Sequence, residues 1–380
     1  LFGMGGAPIC GVARGRGDIQ EAEQVQNTSF VLLVGCGLLL TVLGEVFLTP
    51  ILTLFGASAD TMPYAAGYLR IYLLGTVFVM ISLGMNYFIN TQGFAGTGML
   101  TVAIGAVLNL ILDPVFIFGF DMGVPGAALA TILSQAVSAA WALWFLFSRR
   151  AILRLRPRAF RWDGGRVRRI TALGLSNFIA LGTNGVVQIA CNATLQSFGG
   201  DLYVGVMTVL TAIREVVQMP LSGLTNGAQP VMSFNYGASQ WERVKKAIRF
   251  MTVGGIVYAT ACWAVLFFFP APFVLLFNDE PALVQAAIPA LHLYFFGYFM
   301  MSLQFAGQAI FVALGKSHQA IFFSLFRKII IVVPLTLLLP RLFGLGVTGV
   351  FLAEAVSNFV GGTACFVTMY LTLYRKLGKT

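Results

Sequence analysis

Charge is scarce in this chain. Only 10% of its 380 residues are Asp, Glu, Lys or Arg. A water-soluble domain of that length carries far more, so soluble classes are excluded. Histidine is almost missing: His292 and His318 are alone and far apart. No paired acids, histidine cluster or metal motif suggests a reaction, so the chain is not read as an enzyme. The five cysteines (Cys10, Cys36, Cys191, Cys262, Cys365) lie scattered in apolar runs without pairing or metal spacing. They read as small core residues and say nothing about redox compartment. No signal peptide and no soluble domain is visible.

What remains is apolar. Hydrophobic residues make up 58% of the chain, and mean hydropathy is +0.85. The expectation is an all-α polytopic membrane protein. Glycine is abundant, at 42 residues, as close helix packing in lipid favours. A bilayer core needs roughly 20 apolar residues per helix. Ten such runs are marked, near 28–54, 62–89, 97–119, 125–148, 170–198, 202–234, 246–270, 284–313, 319–340 and 347–373. Residues 1–13 read as the last turns of another helix.

The chain repeats itself. Under one constant offset Pro8 falls on Pro230, Gly15 on Gly237 and Leu54-Phe55 on Leu276-Phe277. The same offset carries Ala65 to Ala287, Leu69 to Leu291, Tyr72 to Tyr294, Gly75 to Gly297 and Gly93 to Gly315. One slip later, Gly123-Val124 falls on Gly346-Val347, Gly126 on Gly349, Leu129-Ala130 on Leu352-Ala353 and Ser134 on Ser357. Two related apolar bundles with a cleft between them are the plan of many secondary transporters. The second copy runs from near Gly165 to the point matching Leu1, and the first copy has no counterpart to that stretch. The expectation is that one complete helix and most of a second are lacking, and that the intact protein has twelve spans. The organisation expected is a truncated first lobe over 1–148, with about four full helices and a remnant. A basic connector over 149–169 and a six-helix second lobe over 170–380 follow.

The net charge of +10 is distributed by loop. Arg14 and Arg16 precede the first full span. Residues 149–169 carry Arg149, Arg150, Arg154, Arg156, Arg158, Arg161, Arg166, Arg168 and Arg169. Arg243, Lys245, Lys246, Arg249 and Lys316 occupy alternate loops, and Arg375, Lys376 and Lys379 the tail. The intervening loops hold Asp60, Asp121, Asp201, Asp279 and Glu280, with Arg341 the sole cation. This is the positive-inside pattern, and it sets the basic loops and the C-terminus in the cytoplasm. The cations read as topology and headgroup contacts, not as a nucleic-acid surface.

Charges within spans are costly and usually face an interior or a wet cavity. Asp113 is the strongest candidate. Asn109 lies four residues before it, on the same helix face, and Pro114 removes a backbone donor and frees a carbonyl one turn earlier. A carboxylate, an amide oxygen and a free carbonyl suit a proton or a small hard cation such as Na⁺. The short loop over 119–124 turns the chain back, setting Thr131 at Asp113's depth, on the order of 9 Å from the outer helix ends. A second reading is a kinked helix whose carboxylate only packs.

The second copy has Ile331 and Leu335 where the first has Asn109 and Asp113, and Glu354 where it has Thr131. Coupling chemistry is therefore expected in the first copy. Glu354 is either a cavity carboxylate or one member of a local ion pair. Arg214 and Glu215 are adjacent and diverge by about 100° around a helix. They fit a substrate cavity or an internal ion-pair network. Glu45, Arg70, Arg327 and Lys328 read as snorkelling side chains near helix ends. Met207, Met219, Met232, Tyr294, Phe295, Tyr298, Met300 and Phe305 offer an adaptable aromatic surface, suited to organic cations or simply to packing.

Two stretches carry a resemblance. Val107-Leu-Asn-Leu-Ile-Leu-Asp-Pro-Val-Phe-Ile-Phe-Gly119, with Met122-Gly-Val-Pro-Gly-Ala-Ala-Leu-Ala-Thr131 after it, resembles the multidrug and toxic compound extrusion (MATE) family. Gly227-Ala-Gln-Pro-Val-Met-Ser-Phe-Asn-Tyr-Gly237 resembles it too. The resemblance covers essentially the whole chain. It implies two six-helix lobes, a bacterial inner-membrane antiporter driven by H⁺ or Na⁺, and export of amphipathic, often cationic, compounds. Small-molecule drugs and the bilayer are the expected partners of a monomer, with no cofactor and no nucleic acid. Family members combine an aspartate on the first helix with Asn, Asp and Thr further on. Asn109, Asp113 and Thr131 fit the later positions, and the first-helix aspartate has no counterpart in this sequence. Where some members hold second-lobe acids, this chain offers Asn184 and Gln188. The substrate cavity is expected around Glu354, Arg214, Glu215, Met207, Tyr294, Tyr298 and Gln188. The alternative weighed is a flippase for lipid-linked saccharides, expected to line its cavity with many cations.

Overall fold

Every element among the described residues is helical, as a chain with no water to satisfy its backbone requires. The computed structural model describes residues 1–380 apart from 55–57, 59–60, 157–159 and 379–380. Phe55, Asp60, Arg158 and Lys379, named above, lie outside the described residues. The chain divides into unit 1, Leu1–Gly174, and unit 2, Leu175–Thr380.

Unit 1 opens with α1 (Phe2–Gly15), α2 (Ile19–Val46) and the short α3 (Leu48–Leu54). The bent pair α4 (Met62–Leu74) and α5 (Thr76–Thr91) follows, then α6 (Ala95–Pro114), a π turn (Val115–Gly119) and α7 (Gly123–Phe147). The long run α8 (Gly164–Gly237) is broken at Gly200, whose backbone (φ 66, ψ −163) belongs to no helix. Next come α9 (Trp241–Phe268), α10 (Pro270–Leu275), the bent pair α11 (Pro281–Tyr294) and α12 (Tyr298–Ala313), and α13 (Ser317–Leu325). A second π turn (Phe326–Val332), α14 (Val333–Leu338) and α15 (Val347–Thr372) complete the chain. Among the described residues seven helices are long and apolar enough to cross a membrane, nine when each bent pair is one span. The break at Gly200 makes ten long apolar segments of the described residues. The chain is a multi-pass helical membrane protein.

The sequence repeat is a repeat of geometry. The pair α4–α5 and its sister α11–α12 both bend by 52°. Gly93 and Gly315 end the second helix of each pair at φ +92 and +72, a left-handed conformation where a Cβ costs energy. Gly126 near the start of α7 meets the backbone of Phe116, where an added Cβ would lie 2.9 Å away. Its sister Gly349 at the start of α15 meets Leu339 and Pro340 at 2.7 Å. Both copies therefore press one helix against the end of the helix before it, and only glycine fits.

The core of unit 1 gathers Cys10, Val25, Phe88, Ile89, Leu146 and Ile170. It also takes in Ala151, Leu153 and Leu155 of the basic connector. Gln92 accepts from the Leu153 N–H (2.9 Å), Gln26 Nε2 donates to the Leu153 carbonyl (3.3 Å), and Gln92 Nε2 donates to Gln26 (3.1 Å). Arg166 is buried and donates to Glu21 at 2.8 Å, and Arg169 reaches the same carboxylate at 3.0 Å. Asp163 starts α8, and the backbone N–H groups of Arg166 and Gly165 hold its carboxyl below the usual carboxylate range. So Ala151, Leu153 and Leu155 pack into unit 1, and Arg166 is an internal partner, not a headgroup contact. Unit 2 builds its core from Leu195, Leu210, Ile213, Ala287, Leu291, Phe295, Tyr298 and Phe351. All five cysteines are free, and Cys10, Cys191 and Cys365 are buried.

Candidate functional site

Two polar clusters occupy sister places in the two units. The first sits where α6 ends against α7. Pro114 has no N–H to donate, so the regular ladder cannot continue past it. The helix widens instead: the Phe120 N–H reaches back five residues to the Val115 carbonyl, at 3.0 Å. Such wide turns recur at functional places in helices. One turn before the proline, Asn109 Nδ2 donates to Asp113 Oδ1 at 3.2 Å and to Thr131 Oγ1 at 3.4 Å. The Thr131 hydroxyl donates its own proton to the Ala127 carbonyl (2.9 Å), which leaves its oxygen free to accept. All three side chains are half-buried. The structure thus brings together Asn109, Asp113 and Thr131. Among the described residues no cation approaches Asp113 within ion-pair distance. The Asp113 carboxylate and the Thr131 hydroxyl oxygen, which both accept from Asn109 Nδ2, are hard donors that fit a proton or Na⁺.

The second cluster lies between α8, the second π turn and α15. Glu354 is 5% exposed. Arg327 Nη2 donates to its Oε1 at 2.7 Å, and Arg327 Nη1 donates to Asn358 at 2.8 Å. Arg214 Nη1 stands 3.7 Å from the same oxygen and Lys328 Nζ 3.8 Å. The Arg214 guanidinium also lies over the Tyr294 ring, 5.7 Å from its centroid. One carboxylate therefore faces three cations. A narrow cavity with about 320 Å³ of non-atom space opens beside them. Asn184, Gln188, Met207, Arg214, Tyr294, Lys328 and Glu354 are among its walls, and Arg327 is not.

Of the expected cavity residues, Glu354, Arg214, Met207, Tyr294 and Gln188 line this one space. Glu215 does not; it is exposed, because it points about 100° away from Arg214. Tyr298 is buried in the core of unit 2, outside the cavity lining. Asn184 and Gln188, the polar stand-ins named above, do line it. Arg327 and Lys328 correct the snorkelling expectation: Arg327 is 3% exposed and both converge on Glu354. Glu45 and Arg70 are each other's partner at 3.5 Å near the surface, a pair worth little.

The repeat holds the signal that finds Arg327. Its sister in unit 1 is Gly105, which sits against Ser138; the sister of Ser138 is Gly361. A Cβ on Gly361 would lie 2.7 Å from Arg327 Cγ. The large and small partners have changed places, so Gly361 is the gap that admits the arginine.

The MatE family model matches residues 1–115 and 179–338. The chain is 26% identical over 366 residues to the multidrug export protein MepA of Staphylococcus haemolyticus, covering 95% of this chain and 79% of the relative. Among solved structures, the MATE multidrug transporter DinF-BH in complex with R6G is 32% identical, with TM-score 0.88 over 99% of this chain and 83% of that one. An outward-facing multidrug resistance MATE transporter of the MOP superfamily superposes with TM-score 0.94 at 23% identity, covering 100% of this chain and 84% of that one. With more than half of its length matched by the family model and the repeat geometry in both units, the chain belongs to the MatE family.

Proposed function

We propose that this protein exports amphipathic small molecules as a secondary antiporter of a prokaryotic cytoplasmic membrane, exchanging them for H⁺ or Na⁺. Its relatives, a multidrug export protein and a multidrug transporter, support the class. The observation that carries the mechanism is the Asn109–Asp113–Thr131 set beside Pro114. Asp113 takes up the cation from outside. Its neutralisation changes the packing at the π turn Val115–Gly119, where the helix ladder is already broken. That change favours the state that expels substrate. Return of the cation-loaded, substrate-free carrier releases the cation inward and admits cytoplasmic substrate. A cation drives this cycle only through unequal affinity for the two states. The alternation of basic and acidic loops supports a cytoplasmic side for the C-terminal tail.

The test is export by the full-length protein in sealed proteoliposomes under an imposed pH gradient or an imposed Na⁺ gradient. One gradient is expected to drive ethidium against its own gradient and to collapse with it. Equal ethidium flux with both gradients dissipated contradicts an antiporter.

A further inference from the structure

We propose that Lys328 is a proton-binding site of unit 2, reached through a single water that sits between its amine and the Tyr294 hydroxyl. A charge count leads to it. Glu354 faces Arg327, Arg214 and Lys328 at 2.7, 3.7 and 3.8 Å. Three cations against one carboxylate leave two positive charges in excess among largely buried side chains, and like charges so close cost energy. The cluster relieves that cost by losing one proton, and only one member can supply it. Arginine keeps its proton throughout the range in which proteins stay folded. A lysine buried beside other cations gives its proton up far more readily, which is how proteins make reactive amines. The geometry picks the same residue. Arg327 donates to Glu354 at 2.7 Å and to Asn358 at 2.8 Å, so the carboxylate keeps a close partner with or without Lys328. Lys328 stands off at 3.8 Å, beyond hydrogen-bond distance, and gives up little pairing when it turns neutral.

The cavity supplies the route. Lys328, Tyr294, Arg214 and Glu354 line it, and Arg327 does not. The Lys328 side chain is 13% exposed against 3% for Arg327, so the lysine is the one that borders open space. The part of that space a water centre can occupy suits about one water, with Asn184 and Gln188 among its polar walls. Tyr294 is 3% exposed, and among the described residues its hydroxyl has no hydrogen-bond partner, a cost that one water removes. The water accepts from Tyr294 and donates to the neutral amine. On release the Nζ–H bond breaks, its electron pair stays on nitrogen, and the proton leaves by that water; uptake is the reverse. The groups that face Lys328 are Glu354 of α15, Arg214 and the Cys191 thiol of α8, Tyr294 of α11 and Arg327 of its own turn. Unit 1 has Gly105 and Ala106 in the places of Arg327 and Lys328. The site also differs in kind from Asp113, since a proton here adds a charge where at Asp113 it removes one.

Lys328 follows the pH and not the substrate, so it gives unit 2 a pH response beyond the export reading and is measured without gradient or drug. The full-length protein in detergent, labelled with ¹³C at lysine Cε, is followed by NMR across about pH 5 to 10. The signal of Lys328 is the one missing from Lys328→Arg. It is expected to lose its proton while the exposed Lys246 and Lys376 still keep theirs. Arg214→Gln, which takes away a neighbouring cation, should move the change toward alkali by about one pH unit. Tyr294→Phe, which takes away the water's partner, should move it the same way by less. Should Arg214→Gln fail to fold, the wild type and Tyr294→Phe decide. A Lys328 signal that titrates together with Lys246 and Lys376 overturns the proposal. So does a midpoint that neither substitution moves. Failure here leaves the export reading standing, and loss of export leaves this titration standing.

Discussion

Asp113→Asn in the full-length protein is expected to bring gradient-driven ethidium export down to the rate of protein-free vesicles, with little change in melting temperature. The asparagine is nearly isosteric and its carbonyl can still accept from Asn109, as Asp113 Oδ1 does at 3.2 Å. What it loses is the ability to bind and release a proton, and most of its pull on Na⁺. The side chain is half-buried, makes one side-chain hydrogen bond to Asn109 and has no ion pair among the described residues, so folding leans on it lightly. A mutant that folds and exports at the wild-type rate would refute the role given to this residue.

Glu354→Gln is expected to act the other way, on stability first. It strips the only carboxylate from a cluster of three cations, with Arg327 and Glu354 side chains 3% and 6% exposed. Removing one member of a buried pair typically costs about 3–5 kcal/mol, because the partner is left charged and unpaired. The purified variant should melt well below wild type in the same detergent. Adding Lys328→Met should recover part of the loss, since one surplus cation goes with it. If Glu354→Gln melts like wild type, the cluster does not hold unit 2 together. If the second change deepens the defect, Lys328 serves packing and not charge balance.

Much of the architecture is legible in the sequence, and the reason is the repeat. Glycines at Gly75, Gly93 and Gly126 recur at Gly297, Gly315 and Gly349, and each pair falls at a bend, a turn or a close helix contact. Such places constrain sequence locally, so a constant offset exposes them. The first polar cluster was legible for a related reason. Asn109 and Asp113 share a helix face, Pro114 marks the break, and a short loop brings Thr131 alongside. Every step there is local.

The second cluster was only half legible. Glu354 meets cations from positions 214, 327 and 328, which no spacing rule connects. The π turn Phe326–Val332 adds to the difficulty. A wide turn shifts the angular register, so the 3.6-residue period that assigns faces elsewhere fails there. Arg327 and Lys328 consequently looked like helix-end residues. Comparing the two copies would have found them, since an arginine replaces Gly105's sister position while Gly361 replaces that of Ser138. The adjacent pair Arg214 and Glu215 shows the opposite case. Simple helix geometry predicts that they diverge, and one lines the cavity while the other is exposed.

In the proposed cycle one carboxyl, Asp113, exchanges its cation in step with substrate. Ethidium added to the full-length protein in weakly buffered detergent, with a pH indicator and a Na⁺ electrode in the same cell, measures that directly. About one H⁺ or one Na⁺ should leave per substrate bound, as reciprocal coupling between the two ligands requires, and none should leave Asp113→Asn. Release of the same amount from that variant as from wild type would take the coupling role away from Asp113.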